Sequence, residues 1–217
     1  MRQQLPSTGF RLRELPGRIS NRVMLKRVGV FCGSSTGARP EYAAAAREVG
    51  RLLAGRGIEL VYGGGNVGLM GALADACLAA GGRVIGVIPG LLETKELAHR
   101  GLTELRVVET MHERKALMAD LSDAFLALPG GYGTWDEFCE VLTWSQLGIQ
   151  RKGAGLLNVC GYYDPLIALA DRAVEEGFVW RPYRELLMEA TDAAELLDRL
   201  EKFEPPSPEK WLGRGQR

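Results

Sequence analysis

Histidine is scarce in this sequence, and cysteine is scattered. The 217 residues include two histidines, His99 and His112, and four cysteines with no short Cys-x-x-Cys spacing. A structural zinc site needs four cysteine or histidine ligands at characteristic spacings, so the pattern argues against zinc. Cysteines spread through a chain of this length are typical of small buried apolar residues in a reducing compartment. We therefore predict buried, unpaired thiols and no metal site.

Long apolar runs are also missing. No stretch reaches the ~18 consecutive apolar residues that would suggest a membrane span. The N-terminus lacks the apolar core of a secretory signal. The sequence therefore predicts a cytoplasmic protein without a membrane partner.

Neither sign of charge is in excess over the whole chain, which has 27 basic and 27 acidic residues. The charges are nevertheless uneven, because residues 1–27 hold seven basic groups and one acid, leaving 20 basic against 26 acidic groups in the rest. A mildly acidic body argues against a nucleic-acid partner, because a phosphate backbone requires a positive surface.

The two ends of the chain differ from its body. Residues 1–25 lack regular periodicity and are predicted to form a flexible basic extension. Such a segment fits an Arg-rich transit peptide or a loose basic tail after an upstream start, with Met24 as the alternative start; the second interpretation is favoured. Residues 204–217 contain three prolines and are predicted to form a disordered tail.

Between these ends, residues 26–203 alternate short apolar runs with helical segments. Strands are predicted at 26–31, 58–62, 83–89, 105–109, 124–128, 154–159 and 187–190. Helices are predicted between them, including a short piece at 91–99 and a long one at 134–147. Such alternation indicates right-handed βαβ units. We predict an α/β fold with a Rossmann-like, doubly wound parallel sheet in a single domain.

Three glycine-rich loops, 32–37, 63–68 and 129–134, follow predicted strands. Ligands of doubly wound folds bind beyond the carboxyl ends of the strands, so these loops mark one predicted ligand site. Residues 63–68 match G-x-G-x-x-G, but the next strand ends without the acid that would hold a dinucleotide ribose. A tight strand-to-helix turn and a backbone cradle for a small phosphate remain open for this loop. The Walker sequence is absent.

The segment 129–137 reads Pro-Gly-Gly-Tyr-Gly-Thr-Trp-Asp-Glu. Its glycines allow close backbone approach to a ligand, and free amides at the following helix start would attract a phosphate. An alternative remains open, because Thr134 and Glu137 have the spacing of a capping box that merely satisfies the helix amides. Against that alternative, the charge of a bound phosphate would repel a carboxylate so close to its cradle. A site that tolerates this repulsion is expected to use the carboxylate for chemistry.

A second charged segment reads Met-His-Glu-Arg-Lys at 111–115. It is not the H-E-x-x-H motif of metalloproteases. Two interpretations are open: Arg114 could grip a phosphate or carboxylate through two parallel bonds, or the segment could be a solvated basic face on which Lys115 extends to water.

Four strings in register resemble the LONELY GUY (LOG) family, whose signature is P-G-G-x-G-T-x-x-E. These are Cys-Gly-Ser-Ser at 32–35, Gly-Gly-Gly-Asn-Val-Gly-Leu-Met-Gly at 63–71, and the segments 111–115 and 129–137. The resemblance spans roughly residues 26–203. It implies a homodimeric Rossmann-like hydrolase that cleaves the N-glycosidic bond of AMP or an N6-modified adenosine monophosphate. The products would be the free base and ribose 5-phosphate, and no cofactor is implied.

The resemblance also implies functional residues. Arg114 and Glu137 are expected to form the catalytic pair. With the loops described above, it predicts that the nucleotide substrate is contacted by Gly33, Ser34, Ser35, Gly64, Gly65, Asn66, Glu96, Lys115, Gly130, Gly131, Tyr132, Gly133, Thr134 and Thr143. Trp135 and Asp136 replace residues common in the family, and both flank the expected catalytic carboxylate, so they could alter the choice of base.

Cleavage of an N-glycoside develops positive charge on the ribose. Glu137 is predicted to stabilise that charge and to take a proton from water, while Arg114 holds the phosphate or the ribose hydroxyls. Two rival functions make different demands on the sequence. A pyridoxal-phosphate decarboxylase would need a buried Schiff-base lysine with an acidic partner for the ring, for which only Lys115 is a candidate. A non-catalytic nucleotide or molybdenum-cofactor carrier of the same fold would not need the Arg114–Glu137 pair.

Overall fold

A computed structural model describes residues 24–93 and 98–204 of the chain. The predicted extension 1–25 and tail 204–217 therefore lie outside the described residues, except for Met24, Leu25 and Glu204. Leu25 is buried in the core.

Strands and helices alternate along the described chain. The strands are β1 (Arg27–Phe31), β2 (Glu59–Tyr62), β3 (Val84–Pro89), β4 (Glu104–Val108), β5 (Ala124–Ala127), β6 (Ala154–Leu157) and β7 (Leu187–Ala190). The helices are α1 (Pro40–Gly55), α2 (Gly68–Ala79), α3 (Gly90–Leu92), α4 (Met111–Leu121), α5 (Tyr132–Leu147), α6 (Asp164–Glu175), α7 (Arg181–Arg184) and α8 (Ala193–Glu201), with a 3₁₀ turn at Val159–Gly161.

The strands of the described ranges form one sheet in the order β4-β3-β2-β1-β5-β6-β7, and every neighbouring pair is parallel. This confirms the predicted α/β fold with a doubly wound parallel sheet. The chain runs outward from β1 through β2 to β4, then returns to the other side of β1 with β5. The topological switch point therefore lies between β1 and β5, where ligand sites of this architecture form.

Helices pack on both faces of the parallel sheet, so its strands are buried between two apolar layers. One layer packs residues of β1 and β2 against α1, α2 and α8. The other packs Phe31, Val61 and Phe125 against α4, α5 and α6. No helix of the described residues is long and apolar enough to cross a bilayer.

Two predicted helices differ from the observed ones. Within the piece predicted at 91–99, the described helix is α3 at Gly90–Leu92, and Ala98 forms an isolated bridge with Gly65. Residues 94–97 lie outside the described ranges. Helix α5 begins at Tyr132 and not at Thr134, because the chain is extended at Gly131 and turns helical directly after it.

Candidate active site

The three glycine-rich loops meet at the carboxyl edge of the sheet. The Gly33 amide donates to the Pro129 carbonyl oxygen at 3.1 Å, and the Leu69 amide donates to the Gly33 carbonyl oxygen at 3.1 Å. Gly68 has a φ of 62°, and a Cβ there would lie 2.3 Å from the Ser34 carbonyl carbon. The loops after β1, β2 and β5 are therefore locked into one surface by their own backbones.

The start of α5 forms the central part of this surface. Gly131 is the N-cap residue, and no side chain caps the helix. A Cβ at Gly131 or Gly133 would meet no atom within 4 Å, so both glycines face open space. The amides at a helix start lack partners within the helix and carry its positive dipole end. This geometry suits an anion such as a phosphate.

The capping-box interpretation of residues 134–137 is wrong. Thr134 lies in the third position of α5, where it is buried against Gly130. The Glu137 carboxylate points instead to Arg114, whose Nη1 donates to Glu137 Oε1 at 2.7 Å. The same Thr-x-x-Glu spacing does cap a helix at α4, where the Glu113 amide donates to Thr110 Oγ1 at 3.1 Å.

Arg114 and Glu137 form a buried ion pair, with side chains 11% and 9% exposed. Arg114 Nε also donates to the Val87 carbonyl oxygen at 3.0 Å, which ties the guanidinium to the end of β3. Gly63 makes room for it, because a Cβ there would lie 1.9 Å from Arg114 Nη2. The solvated-face interpretation is therefore wrong for Arg114.

The charge on Glu137 depends on opposing effects. Burial raises the pKa of its carboxyl above the ordinary 4.5, the Arg114 charge opposes this rise, and the Asp136 charge adds to it. The net effect is a raised pKa, which makes the carboxylate a stronger proton acceptor than an exposed glutamate. Nearby Cys32 is buried, and burial holds the pKa of its thiol far above the range in which it would be a nucleophile.

Lys115 lies beside the pair and joins α4 to α5. Its Nζ lies 3.0 Å from Asp136 Oδ2 and 3.1 Å from Glu140 Oε1. Burial lowers the pKa of the ammonium, but the hydrogen bonds with both carboxylates outweigh that effect and raise it. Lys115 is therefore a charged amine held between two acids.

A pocket of about 340 Å³ opens at the switch point between β1 and β5. Its walls are the loops 33–37 and 129–131 with Tyr42, Leu69 and Tyr162. Sequence reasoning singled out both loops but missed the tyrosines. The Tyr162-Tyr163 doublet follows β6 at the same sheet edge, and that position was the available signal.

The other predicted contact residues do not all line this pocket. Gly64 and Gly65 lie on the loop after β2, where the Gly64 oxygen accepts from the His99 amide and Gly65 bridges to Ala98. Asn66 is exposed beside them. Glu96 lies outside the described residues.

Thr143 is far from the glycine-rich start of α5 within one chain. It lies eleven residues after Tyr132, which is about 16 Å along α5 at 1.5 Å per residue. Its hydroxyl is exposed and donates to the Cys139 carbonyl oxygen at 2.7 Å.

The cysteine prediction is half right. Cys32 and Cys77 are buried, whereas Cys139 and Cys160 are exposed, and all four are free thiols. Among the described residues, no three histidine, cysteine or acidic side chains are grouped as a metal site would require.

Comparison with known proteins identifies relatives of the whole domain. The family model described as "Possible lysine decarboxylase" matches residues 70–200. A probable cytokinin riboside 5′-monophosphate phosphoribohydrolase of Oryza sativa subsp. japonica is 54% identical over 181 residues, which are 83% of this chain and 74% of the relative. A cytokinin riboside 5′-monophosphate phosphoribohydrolase of Arabidopsis thaliana is 49% identical over 192 residues, which are 88% and 89% of the two chains.

Solved structures with a similar fold are more distant in sequence. The molybdenum cofactor carrier protein of Chlamydomonas reinhardtii has a TM-score of 0.63 at 23% identity, over 81% of this chain and 96% of its own. The molybdenum cofactor binding protein of Rippkaea orientalis has a TM-score of 0.62 at 21% identity, over 81% and 94%. These structures support the Rossmann-like fold alone. The family model matches more than half of the chain, and the curated relatives are about 50% identical to it. This chain therefore belongs to the LOG family.

Proposed function

We propose that this protein is a hydrolase that cleaves the N-glycosidic bond of AMP or an N6-modified adenosine 5′-monophosphate. The products are the free base and ribose 5-phosphate. The observation that carries the proposal is the buried Arg114–Glu137 pair, which lies beside an open helix start made of glycine amides. The curated relatives named as phosphoribohydrolases support the same reaction.

The reaction replaces the bond between the anomeric carbon and the base nitrogen by a bond to water oxygen. Positive charge grows on the ribose as the base leaves, and a carboxylate near the anomeric carbon stabilises it. Glu137 fills this role and accepts a proton from the attacking water, whose hydroxyl joins the anomeric carbon. The departing base takes up one proton from solvent, and Glu137 returns its proton to solvent, so that one water is consumed. Burial raises the pKa of Glu137, which favours proton transfer near neutral pH.

Arg114 fixes the geometry of this step. A guanidinium has five N–H donors, and the bonds to Glu137 and Val87 use two of them. In this proposal the remaining donors bind ribose hydroxyls or phosphate. The 5′-phosphate binds to the amides at the start of α5, with Thr134 and the serines of the loop 32–37 as neighbours. These roles for Arg114, Glu137 and the cradle residues are part of the proposal.

Both rival functions have weaker support. A pyridoxal-phosphate decarboxylase would need a lysine free to form a Schiff base, whereas Lys115 is held as a charged amine by Asp136 and Glu140. The molybdenum cofactor proteins share the fold at under 25% identity, whereas the relatives at about 50% identity are named as hydrolases.

The decisive experiment compares Glu137→Gln with Glu140→Gln. Both replace a carboxylate by an amide of the same shape on α5, but only Glu137 contacts Arg114. Release of base from AMP and from isopentenyladenosine monophosphate is followed in each variant. We expect Glu137→Gln to lower kcat by about 10²–10⁴-fold and Glu140→Gln to keep the native rate. A folded Glu137→Gln variant with native kcat would overturn the assignment.

We also propose that the protein is a cytoplasmic homodimer. Tyr132, Cys139, Thr143 and Leu147 are spaced by seven, four and four residues, so they share one exposed face of α5. Tyr132 is 85% and Leu147 62% exposed. Large apolar residues along one face favour burial against a second copy. In such a dimer, Thr143 of one copy would lie near the glycine amides at the start of α5 in the other copy.

A further inference from the structure

The junction after β6 has a backbone conformation that residues with a Cβ avoid. Cys160 has φ 53° and ψ 32°, and it is the one non-glycine residue with positive φ in the described ranges. Gly161 follows with φ 69°. Two successive left-handed residues turn the chain sharply, and strain of this kind concentrates at functional sites. Its consequence is that Tyr162 and Tyr163 reach back over the end of β5.

Both tyrosine hydroxyls donate to carbonyl oxygens of the loop after β5. Tyr163 Oη donates to the Leu128 oxygen at 2.6 Å, and Tyr162 Oη donates to the Gly130 oxygen. The carbonyl between them, that of Pro129, accepts from the Gly33 amide at 3.1 Å. Three successive peptide planes at the entry to α5 are therefore each fixed by one donor.

The rings that carry these hydroxyls are themselves held. Tyr162 packs edge-on against Tyr42 and Tyr163, with ring centroids 5.8 Å and 5.0 Å apart. Tyr163 is almost fully buried, and its amide donates to Asn158 Oδ1 at 2.8 Å. Both hydroxyls are therefore already held in position before a ligand binds.

The geometry of a trans peptide decides which tyrosine matters for a ligand. The carbonyl of one residue and the amide of the next share a plane and point in opposite directions. By holding the Gly130 oxygen, Tyr162 directs the Gly131 N–H to the side of the peptide opposite its own hydroxyl. A Cβ on Gly131 would meet no atom within 4 Å, so a ligand has room beside this residue. Tyr163 holds the Leu128–Pro129 plane, which carries no N–H because proline has none.

We propose that Tyr162 is a positioning residue that aims the Gly131 amide at the 5′-phosphate, whereas Tyr163 only supports the fold. The proposal rests on the proposed function in so far as the ligand is a nucleotide 5′-phosphate. The chain supplies its own matched control, because the two tyrosines are adjacent and make the same kind of bond to carbonyls two residues apart.

Tyr162→Phe and Tyr163→Phe are compared by kinetics on AMP, by calorimetric binding of ribose 5-phosphate, and by the ¹⁵N–¹H signal of Gly131 in the ligand-free protein. We expect Tyr162→Phe to raise KM and the Kd of ribose 5-phosphate about ten-fold, consistent with one lost hydrogen bond, with kcat within two-fold and a displaced Gly131 signal. We expect Tyr163→Phe to lower Tm more and to leave KM, Kd and the Gly131 signal close to native.

An equal loss of ribose 5-phosphate affinity in both variants would overturn the proposal, because the effect would then be a general loss of structure. Native affinity in Tyr162→Phe would also overturn it. An unmoved Gly131 signal with weakened binding would overturn it in favour of direct contact between Tyr162 and the ligand. If the native protein binds ribose 5-phosphate but releases no base, the proposed function fails while the positioning role is still decided by these binding data.

Discussion

Glu137 has two charged neighbours of opposite sign, the exposed Asp136 and the largely buried Lys115. The Asp136 charge raises its pKa, and the Lys115 charge lowers it. The carboxylate form is the one required for the proposed reaction, so activity is lost as the pH falls through the raised pKa of Glu137. The acid limb of kcat/KM should therefore lie above pH 4.5, the ordinary glutamate value.

Two substitutions should move this limb in opposite directions. Asp136→Asn removes a negative neighbour and should shift the midpoint to lower pH, whereas Lys115→Met removes a positive one and should shift it to higher pH. Each shift should be about half a pH unit, the size expected for partly screened charges. The check is the pH dependence of kcat/KM on AMP. Shifts of the same sign in both variants would contradict the assignment of this limb to Glu137.

At the scale of elements, the loop after β2 limits the space around the Arg114 side chain, which comes from α4. Gly63 contacts the Arg114 guanidinium so closely that a methyl group cannot be added without moving it. The guanidinium cannot move freely, because it is bonded to both Glu137 and Val87. The first glycine of the G-x-G-x-x-G loop therefore has a role beyond a tight turn, namely to set the position of Arg114.

Gly63→Ala should leave a folded protein with kcat/KM lowered about 100-fold, since displacement of a catalytic group by about 1 Å has effects of that size. Steady-state kinetics and circular dichroism test this together. Gly55→Ala is the control, because a Cβ there meets no atom within 4 Å and alanine suits the helix end. Native kinetics in Gly63→Ala would show that Arg114 tolerates the shift.

At the scale of the whole molecule, the α5 face with Tyr132, Cys139, Thr143 and Leu147 is exposed in the part of the chain that the structure describes. In the proposed homodimer this face lies against a second copy. Thr143→Arg places a long charged side chain in the middle of the face and should give a monomer in sedimentation experiments at micromolar concentration, with activity reduced at least ten-fold if the partner completes the site.

Leu169→Arg is the matched control for this substitution. Leu169 is exposed on α6 and is not part of the α5 face, and the same charge should leave both assembly and activity unchanged there. A Thr143→Arg protein that sediments like the native one would contradict the proposed interface. A monomer with full activity would show instead that one chain holds a complete site.

The sequence by itself determined the fold and the sheet edge at which the candidate site lies. Short apolar runs and intervening helices are local patterns, so they predicted the parallel sheet, and glycine loops at strand ends marked its ligand edge. The predicted strand at 187–190 is the observed β7. Motifs in register also carried the family resemblance, because each is contiguous in the chain.

Only the tertiary structure decided what Glu137 contacts. Thr-x-x-Glu occurs at 110–113 and at 134–137, and the spacing alone cannot distinguish a helix cap from a buried acid. The first caps α4, whereas α5 starts two residues before Thr134 and turns Glu137 toward Arg114. The Tyr162 bond to Gly130 likewise joins residues 32 positions apart. Such contacts depend on how helices pack on the sheet, and local periodicity does not predict which side chains of different elements meet.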